Sequence, residues 1–67
     1  MKDRDILNEL YENEKWDGLD YYIGRIIESK DKDRYQELLD TFQNQRNDKM
    51  FKYLLDDIEK KLDNLKN

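Results

Sequence analysis

The sequence contains no cysteine and no histidine. The chain therefore has no disulfide, no thiolate or imidazole ligand for a metal ion, and no cysteine–histidine pair for nucleophilic catalysis. Two glycines are too few for a glycine-rich phosphate loop. Besides the tyrosines, the hydroxyl residues are Ser29 and Thr41, and neither has a base placed to activate it. We expect no catalytic residue, no cofactor and no resident metal, and hence a protein that is not an enzyme.

Long apolar runs are also missing. No run exceeds three residues, whereas a membrane-spanning helix needs about 18. The first five residues, MKDRD, lack the apolar segment of a secretory signal. At 67 residues, the chain has room for one small domain. We therefore expect a soluble, cytoplasmic protein with no membrane partner, folded as a single helical domain over residues 1–67.

The negative charge is concentrated in one half of the chain. Residues 1–28 carry eight carboxylates against four bases, which accounts for the net charge of −4, while residues 29–67 sum to zero. This balance disfavours direct nucleic-acid binding, which requires a basic patch. The acidic half is expected either to attract a basic partner or to keep a small protein soluble. The candidate acidic face consists of Asp5, Glu9, Glu12 and Asp20.

Apolar residues recur in a register of sixteen. Leu19, Tyr22, Ile23 and Ile26 have the i, i+3, i+4, i+7 spacing of an amphipathic helix. The same four-residue stripe returns sixteen and thirty-two residues later, and also sixteen residues earlier, where Asp3 is the single polar exception. In one continuous helix, successive stripes would be rotated by about 160°. The register therefore predicts four short helices, each folded back on the previous one.

Polar joints between the stripes set the expected boundaries. The predicted helices span 3–15, 18–29, 32–45 and 48–66. The third joint contains neither glycine nor proline, so one long helix through the third and fourth stripes stays an alternative. The expected fold class is all-α, a small bundle of three to four short antiparallel helices with the last one longest.

Capping residues and glycines refine this scheme. The expected N-caps are, in chain order, Asp17, Asp31 or Asp33, and Asn47 or Asp48. Trp16, just before the first of these caps, is expected to pack against Tyr21 as a hydrophobic staple, with Gly18 in the turn. Gly24 lies in the middle of the second predicted helix, where glycine costs about 1 kcal/mol relative to alanine. Either another backbone, such as that of the first helix, approaches closely there, or the glycine is neutral.

The last predicted helix carries a second apolar pattern. Five of its residues recur at intervals of 4, 3, 4 and 3, which is the seam spacing of a coiled coil: Phe51, Leu55, Ile58, Leu62 and Leu65. Leu62 and Leu65 lie beyond the sixteen-residue register, where the shorter helices are expected to offer no cover. We expect these two leucines either to contact a second chain or to cap the end of the domain.

Three aromatic residues fall outside the stripes and are expected to be partly exposed: Trp16, Tyr21 and Tyr53. Exposed aromatic side chains are enriched at binding hot spots. Together with Leu62 and Leu65, they form the candidate partner-binding set.

Residues 22–42, YIGRIIESKDKDRYQELLDTF, resemble the IDEAL domain of low-GC Gram-positive bacteria. That family has an Ile-Asp-Glu-Ala-Leu run, a short Asp/Lys-rich turn, and a following helix with an aromatic residue and a leucine. The matching positions are Ile23, Asp31, Lys32, Tyr35 and Leu38. The three residues after Ile23 depart from the family's run. The resemblance implies a small bacterial regulatory or accessory domain.

These observations favour a non-enzymatic helical protein that binds a larger protein and regulates or inhibits it. One alternative is an acidic inhibitor of the phage type, which mimics nucleic acid and occupies the nucleic-acid site of a host enzyme. The other is a structural homodimer that self-associates through the last helix. The abundance of Asn, Lys, Asp, Ile and Tyr, with no alanine, is typical of an AT-rich genome such as that of a Firmicute or its phage.

Overall fold

A computed structural model describes residues 2–66 and contains four α-helices. The elements are α1 (Asp3–Glu12), α2 (Trp16–Ser29), α3 (Lys32–Phe42), a short 3-10 turn (Gln43–Gln45) and α4 (Lys49–Lys66). No strand occurs in this range, and α4 is the longest helix. The predicted all-α bundle of four short helices is therefore confirmed. None of the described helices is both long enough and apolar enough to cross a bilayer.

The turn between α1 and α2 differs from the expectation. Helix α2 begins at Trp16, earlier than predicted, and Asp17 lies in its first turn without capping it, so the predicted Asp17 cap is wrong. The chain reverses at Glu14, whose φ of 54° is left-handed, and the Lys15 N–H donates to the Leu10 carbonyl. Gly18 is inside the helix rather than in the turn. Because the backbone reverses before Trp16, this side chain packs edge-on against Tyr11 of α1, with ring centroids 5.7 Å apart.

The two glycines have opposite surroundings. A Cβ atom at Gly18 would lie 3.2 Å from Leu10 Cδ2, so this glycine allows α1 and α2 to approach closely. A Cβ atom at Gly24 would meet nothing within 4 Å. The prediction that another backbone approaches closely at Gly24 is therefore wrong. The close approach of α1 occurs six residues earlier, at Gly18.

The remaining helix starts follow the predicted caps. The Asp31 carboxylate accepts from the backbone N–H groups of Asp33 and Arg34, at 2.9 and 3.3 Å, and so caps α3. The Asp48 carboxylate accepts from the Met50 N–H at 3.0 Å, just before α4. Each contact satisfies a backbone donor that the first helical turn leaves free.

Helices α3 and α4 are separate. Helix α3 ends at Phe42, and the chain passes through the 3-10 turn before α4 starts at Lys49. Arg46 holds this connection by donating to Gln43 and by forming ion pairs with Asp56 and Glu59 of α4. The alternative of one continuous helix is therefore wrong. No residue of the connection has a positive φ, so the connection needs no glycine.

The apolar stripes form one core. All fifteen apolar register positions are buried or half-buried. Phe42 and Phe51 stack with centroids 4.9 Å apart, and Tyr11 meets both rings edge-on. This aromatic cluster joins the C-terminal ends of α1 and α3 to the start of α4.

The end of α4 is covered more completely than its sequence indicates. Leu62 is only 4% exposed and belongs to the core, so the expectation that it lies uncovered is wrong. Leu65 is half-buried and lies beside Ile27 and Tyr35. The reason is that α4 packs antiparallel to α3, which brings the end of α2 and the start of α3 to the level of Leu65.

Helix α3 is the centre of the arrangement. It packs against α1, α2 and α4, whereas α2 and α4 scarcely contact each other within the described residues. The N-terminal part of α2 faces the N-terminal part of α4, and their C-terminal parts also face each other, so these two helices run in the same direction. Two depressions lie between α2 and α4, one near their N-terminal ends and one near their C-terminal ends, and we call the line that joins them the groove.

Candidate protein-binding groove

The groove between α2 and α4 is a concave surface with a mainly apolar lining. One depression of the groove, of about 230 Å³, lies at the N-terminal ends of both helices. It is lined by Trp16, Leu19, Asp20, Ile23, Met50, Phe51 and Leu54. Six of these seven side chains are apolar. Leu19, Ile23 and Phe51 are buried and form the floor. The water released when another apolar surface binds therefore comes mainly from Trp16, Met50 and Leu54.

Two large apolar side chains stand at the rim. Trp16 is 45% exposed and Met50 is 59% exposed. Leu54, one turn after Met50, is half-buried and packs on the core. An aromatic anchor next to a flexible methionine is typical of a surface that binds the apolar face of a helix.

Charge differs between the two ends of the groove. Asp20 lies at the Trp16 end. At the other end, Lys30 and Lys61 flank a second apolar depression of about 300 Å³. Asp57 pairs with Lys61 at 3.3 Å and partly offsets its charge, while Lys30 is exposed. The groove therefore runs from an acidic end to a basic end.

A separate polar cluster fastens α1 to the rest of the bundle. The Asp3 carboxylate accepts from Arg34 Nε at 2.8 Å, from Arg34 Nη2 at 3.1 Å and from the Tyr22 hydroxyl at 2.5 Å. Asp3 is the one polar residue in the sixteen-residue register. Its side chain is only 11% exposed, because it occupies the position that an apolar residue would fill. We call Asp3, Tyr22 and Arg34 the Asp3 clamp.

The ionisation of the clamp follows from its geometry. Hydrogen bonds from Arg34 lower the pKa of Asp3 below its ordinary value, against the opposing effect of burial, and the Tyr22 hydroxyl lowers it further. Burial, followed by the hydrogen bond to Asp3, raises the pKa of Tyr22. The clamp is thus a charged carboxylate, a protonated tyrosine and a charged arginine. Tyr22 of α2 and Arg34 of α3 both bind Asp3 of α1, so we assign the cluster to holding α1 in place.

The predicted partner-binding residues do not form one surface. Trp16 lies in the groove, Tyr21 lies at an open depression beside Arg25, and Tyr53 is 72% exposed on the side of α4 away from the core. Leu62 is buried in the core, so it offers no surface to a partner. Leu65 lines the basic end of the groove.

The predicted acidic face is divided. Asp5, Glu9 and Glu12 are exposed, and the helical rotation of about 100° per residue places them together on the side of α1 opposite Leu7. Asp20 lies elsewhere, at the rim of the groove. No group of three carboxylates among the described residues is arranged to hold a metal ion.

Met50 is the groove residue that the sequence pattern does not indicate. It belongs to no stripe and precedes the buried Phe51, so the sequence gives no reason to select it. Its place at the rim depends on the direction in which α4 leaves the 3-10 turn. The one indication in the sequence is that Met50 lies four residues before Leu54, so the two side chains are expected on the same side of α4.

Comparisons with known proteins give no relative. No protein-family model matches the chain, and no curated protein or solved structure shows significant similarity to it. The resemblance of residues 22–42 to the IDEAL domain stays a prediction.

Proposed function

We propose that this protein binds a larger protein through the groove between α2 and α4, and regulates or inhibits it. The observation that carries the proposal is the pair of exposed apolar side chains, Trp16 and Met50, above an apolar floor. A chain of this size leaves such side chains in water at a cost, which binding removes. The regulatory role also agrees with what the IDEAL resemblance implies.

The occupant that fits the groove is one amphipathic helix of the partner. Helices α2 and α4 are parallel, and the groove between them is lined mainly by their own side chains, with Tyr35 of α3 at the basic end. A further helix laid along this groove would pack against both. A helix that runs antiparallel to α2 and α4 has its C-terminal end near Asp20 and its N-terminal end near Lys30. Helices favour basic residues in the last turn and acidic ones in the first, so both ends meet opposite charge.

Photocross-linking tests this proposal directly. The photoreactive amino acid p-benzoylphenylalanine replaces Met50 at the groove rim in one variant and Tyr53 on the outer face of α4 in the matched control. Both variants are produced in the natural host and irradiated, and the cross-linked partner peptide is identified by mass spectrometry. We expect adducts at position 50 that map to an amphipathic helix, and none with that segment at position 53.

A synthetic peptide of the cross-linked segment then serves as the binding probe. It is expected to bind the wild-type protein and to lose affinity for Met50→Glu, because a carboxylate would be desolvated against an apolar face. It should bind Tyr53→Glu as well as the wild type. Adducts with the segment at position 53, or equal binding by Met50→Glu, would contradict the groove as the contact site.

A second candidate function is supported by the outer face of α1. Asp5, Glu9 and Glu12 are exposed there, and none forms an ion pair with another described residue. A row of free carboxylates is suited to a basic surface, including the nucleic-acid site of an enzyme. This supports the proposal of an acidic inhibitor that mimics nucleic acid.

The salt dependence of partner binding separates the two candidates. Replacing Asp5, Glu9 and Glu12 by Asn or Gln should weaken binding and flatten its salt dependence if they contact a basic site. The matched control neutralises three exposed carboxylates elsewhere, Asp17, Asp33 and Asp63. Equal affinity of the wild type for the partner at low and high salt would contradict the proposal that the outer face of α1 mimics nucleic acid. It would not affect the groove proposal.

A further inference from the structure

The groove-facing edge of α2 has a regular pattern. Five residues follow one another at intervals of 4, 3, 4 and 3: Trp16, Asp20, Ile23, Ile27 and Lys30. The first three line the depression at the N-terminal end of the groove, and the last two line the depression at the other end. This spacing keeps side chains on a single seam along a helix, as in a coiled coil.

The seam is complementary to itself in the antiparallel direction. When a second copy of α2 lies antiparallel and the two seams cross midway between Ile23 and Ile27, the half-buried Ile27 of each copy lies over Ile23 of the other copy. Ile23 is only 6% exposed, so it contributes the floor of the contact and Ile27 contributes the exposed side chain. Asp20 then meets the second copy's Lys30, and Lys30 meets the second copy's Asp20. The parallel arrangement would place Asp20 against Asp20 and Lys30 against Lys30, which is unfavourable.

A standard protein interface takes about 800 Å² from each partner. A pair of this kind must therefore cover about a sixth of the 4977 Å² surface of each chain. On the α4 side, Met50 and Leu54 at one end and Leu65 at the other extend the apolar strip beyond α2.

We propose that two copies of this chain form a twofold-symmetric dimer through their grooves, with the two α2 seams antiparallel. Such a contact is isologous, because the twofold axis brings the acidic end of each groove onto the basic end of the other. The dimer goes beyond the proposed function, since it needs no second protein. If the proposed function also holds, a partner helix and a second copy cover the same residues, so the two complexes exclude each other.

Charge exchange between two variants tests the antiparallel contact. Asp20→Lys and Lys30→Asp are each examined by sedimentation equilibrium, alone and mixed in equal amounts, in low salt. Lys30 has left-handed backbone with φ of 51°, which Asp tolerates better than most residues. Each variant alone should dimerise about tenfold more weakly than the wild type, because both symmetric pairs become repulsive.

The mixture of the two variants should recover wild-type association. In the mixed dimer, the lysine introduced in one variant faces the aspartate introduced in the other. The unchanged Lys30 of the first variant likewise faces the unchanged Asp20 of the second. Both pairs are then attractive again, so a mixture that associates as weakly as either variant alone would contradict the antiparallel contact.

Apolar variants locate the contact on the groove. Met50→Glu should abolish dimerisation, whereas Tyr53→Glu, on the outer face of α4, should leave it unchanged. Circular dichroism confirms that each variant is folded. A wild-type chain that stays monomeric up to about 1 mM would overturn the proposal. So would a dimer that Tyr53→Glu disrupts, or one that Asp20→Lys leaves unchanged. A monomeric wild type would not affect the photocross-linking result, so the dimer and the proposed function fail separately.

Discussion

The Asp3 clamp gives the sharpest stability prediction. In the variant Asp3→Asn, the side chain keeps its shape and one acceptor oxygen but loses the charge that faces Arg34. A hydrogen bond to a charged group contributes about 1.5–3 kcal/mol. Arg34 keeps 34% of its side chain exposed, so water replaces part of the lost interaction. We expect the free energy of unfolding to fall by about 1–2 kcal/mol.

Thermal unfolding followed by circular dichroism measures this loss. For a chain of this size, the expected decrease in the melting temperature is about 5–15 °C. The matched control is Asp5→Asn, because Asp5 lies in the same first turn of α1 but is exposed. Both variants remove one negative charge from the first turn of α1, so they weaken the interaction with the helix dipole to a similar extent. The difference between their melting temperatures therefore measures the contribution of the clamp.

The pH dependence provides an independent check. The pKa of Asp3 is lowered in the folded state, so its stabilising contribution is present above the ordinary value of 3.8. It is lost as the pH falls through the folded-state pKa. The stability difference between the wild type and Asp3→Asn should therefore persist at neutral pH and shrink below pH 3.8. Equal melting temperatures for Asp3→Asn and Asp5→Asn at neutral pH would refute the clamp.

Three further predictions concern the core and the helix ends. Leu62→Ala should destabilise the protein by about 2–4 kcal/mol in urea unfolding, because it creates a cavity in the core, while the half-buried Leu65→Ala should cost less. Gly24→Ala should stabilise it by up to about 1 kcal/mol, measured by thermal unfolding, because the added methyl group has no neighbour within 4 Å beyond the adjoining backbone of its own helix. Asp31→Ala should lower the stability by about 1 kcal/mol in urea unfolding through loss of the cap, and an unchanged midpoint would contradict that role.

The sequence predicts the fold because its pattern is local. The four stripes each depend on helical periodicity within eight residues, and the burial of Leu19, Leu39 and Phe51 follows from it. Asp31 is likewise predictable, since a cap acts on the backbone two or three residues further on.

The candidate site is less predictable, because it depends on tertiary geometry. Met50 reaches the groove rim through the direction in which α4 leaves the 3-10 turn, and no local pattern contains that direction. Leu62 is buried because α4 packs along α3, a contact between residues far apart in the chain. The residues that bind Asp3 are 19 and 31 residues away in the chain. The apolar periodicity therefore marks Asp3 as a polar residue at an apolar position, but it does not reveal that Tyr22 and Arg34 bind its carboxylate.

The fluorescence of Trp16 tests most directly whether the groove is the contact surface. Trp16 is the single tryptophan of the chain, and 45% of it is exposed at the groove rim. Its emission and its quenching by acrylamide are measured as the complex forms, whether by concentrating the protein or by adding a partner. Covering the groove should shift the emission to shorter wavelengths and reduce the quenching. A complex that forms, as judged by sedimentation, with unchanged emission and quenching of Trp16 would show that the contact surface lies elsewhere.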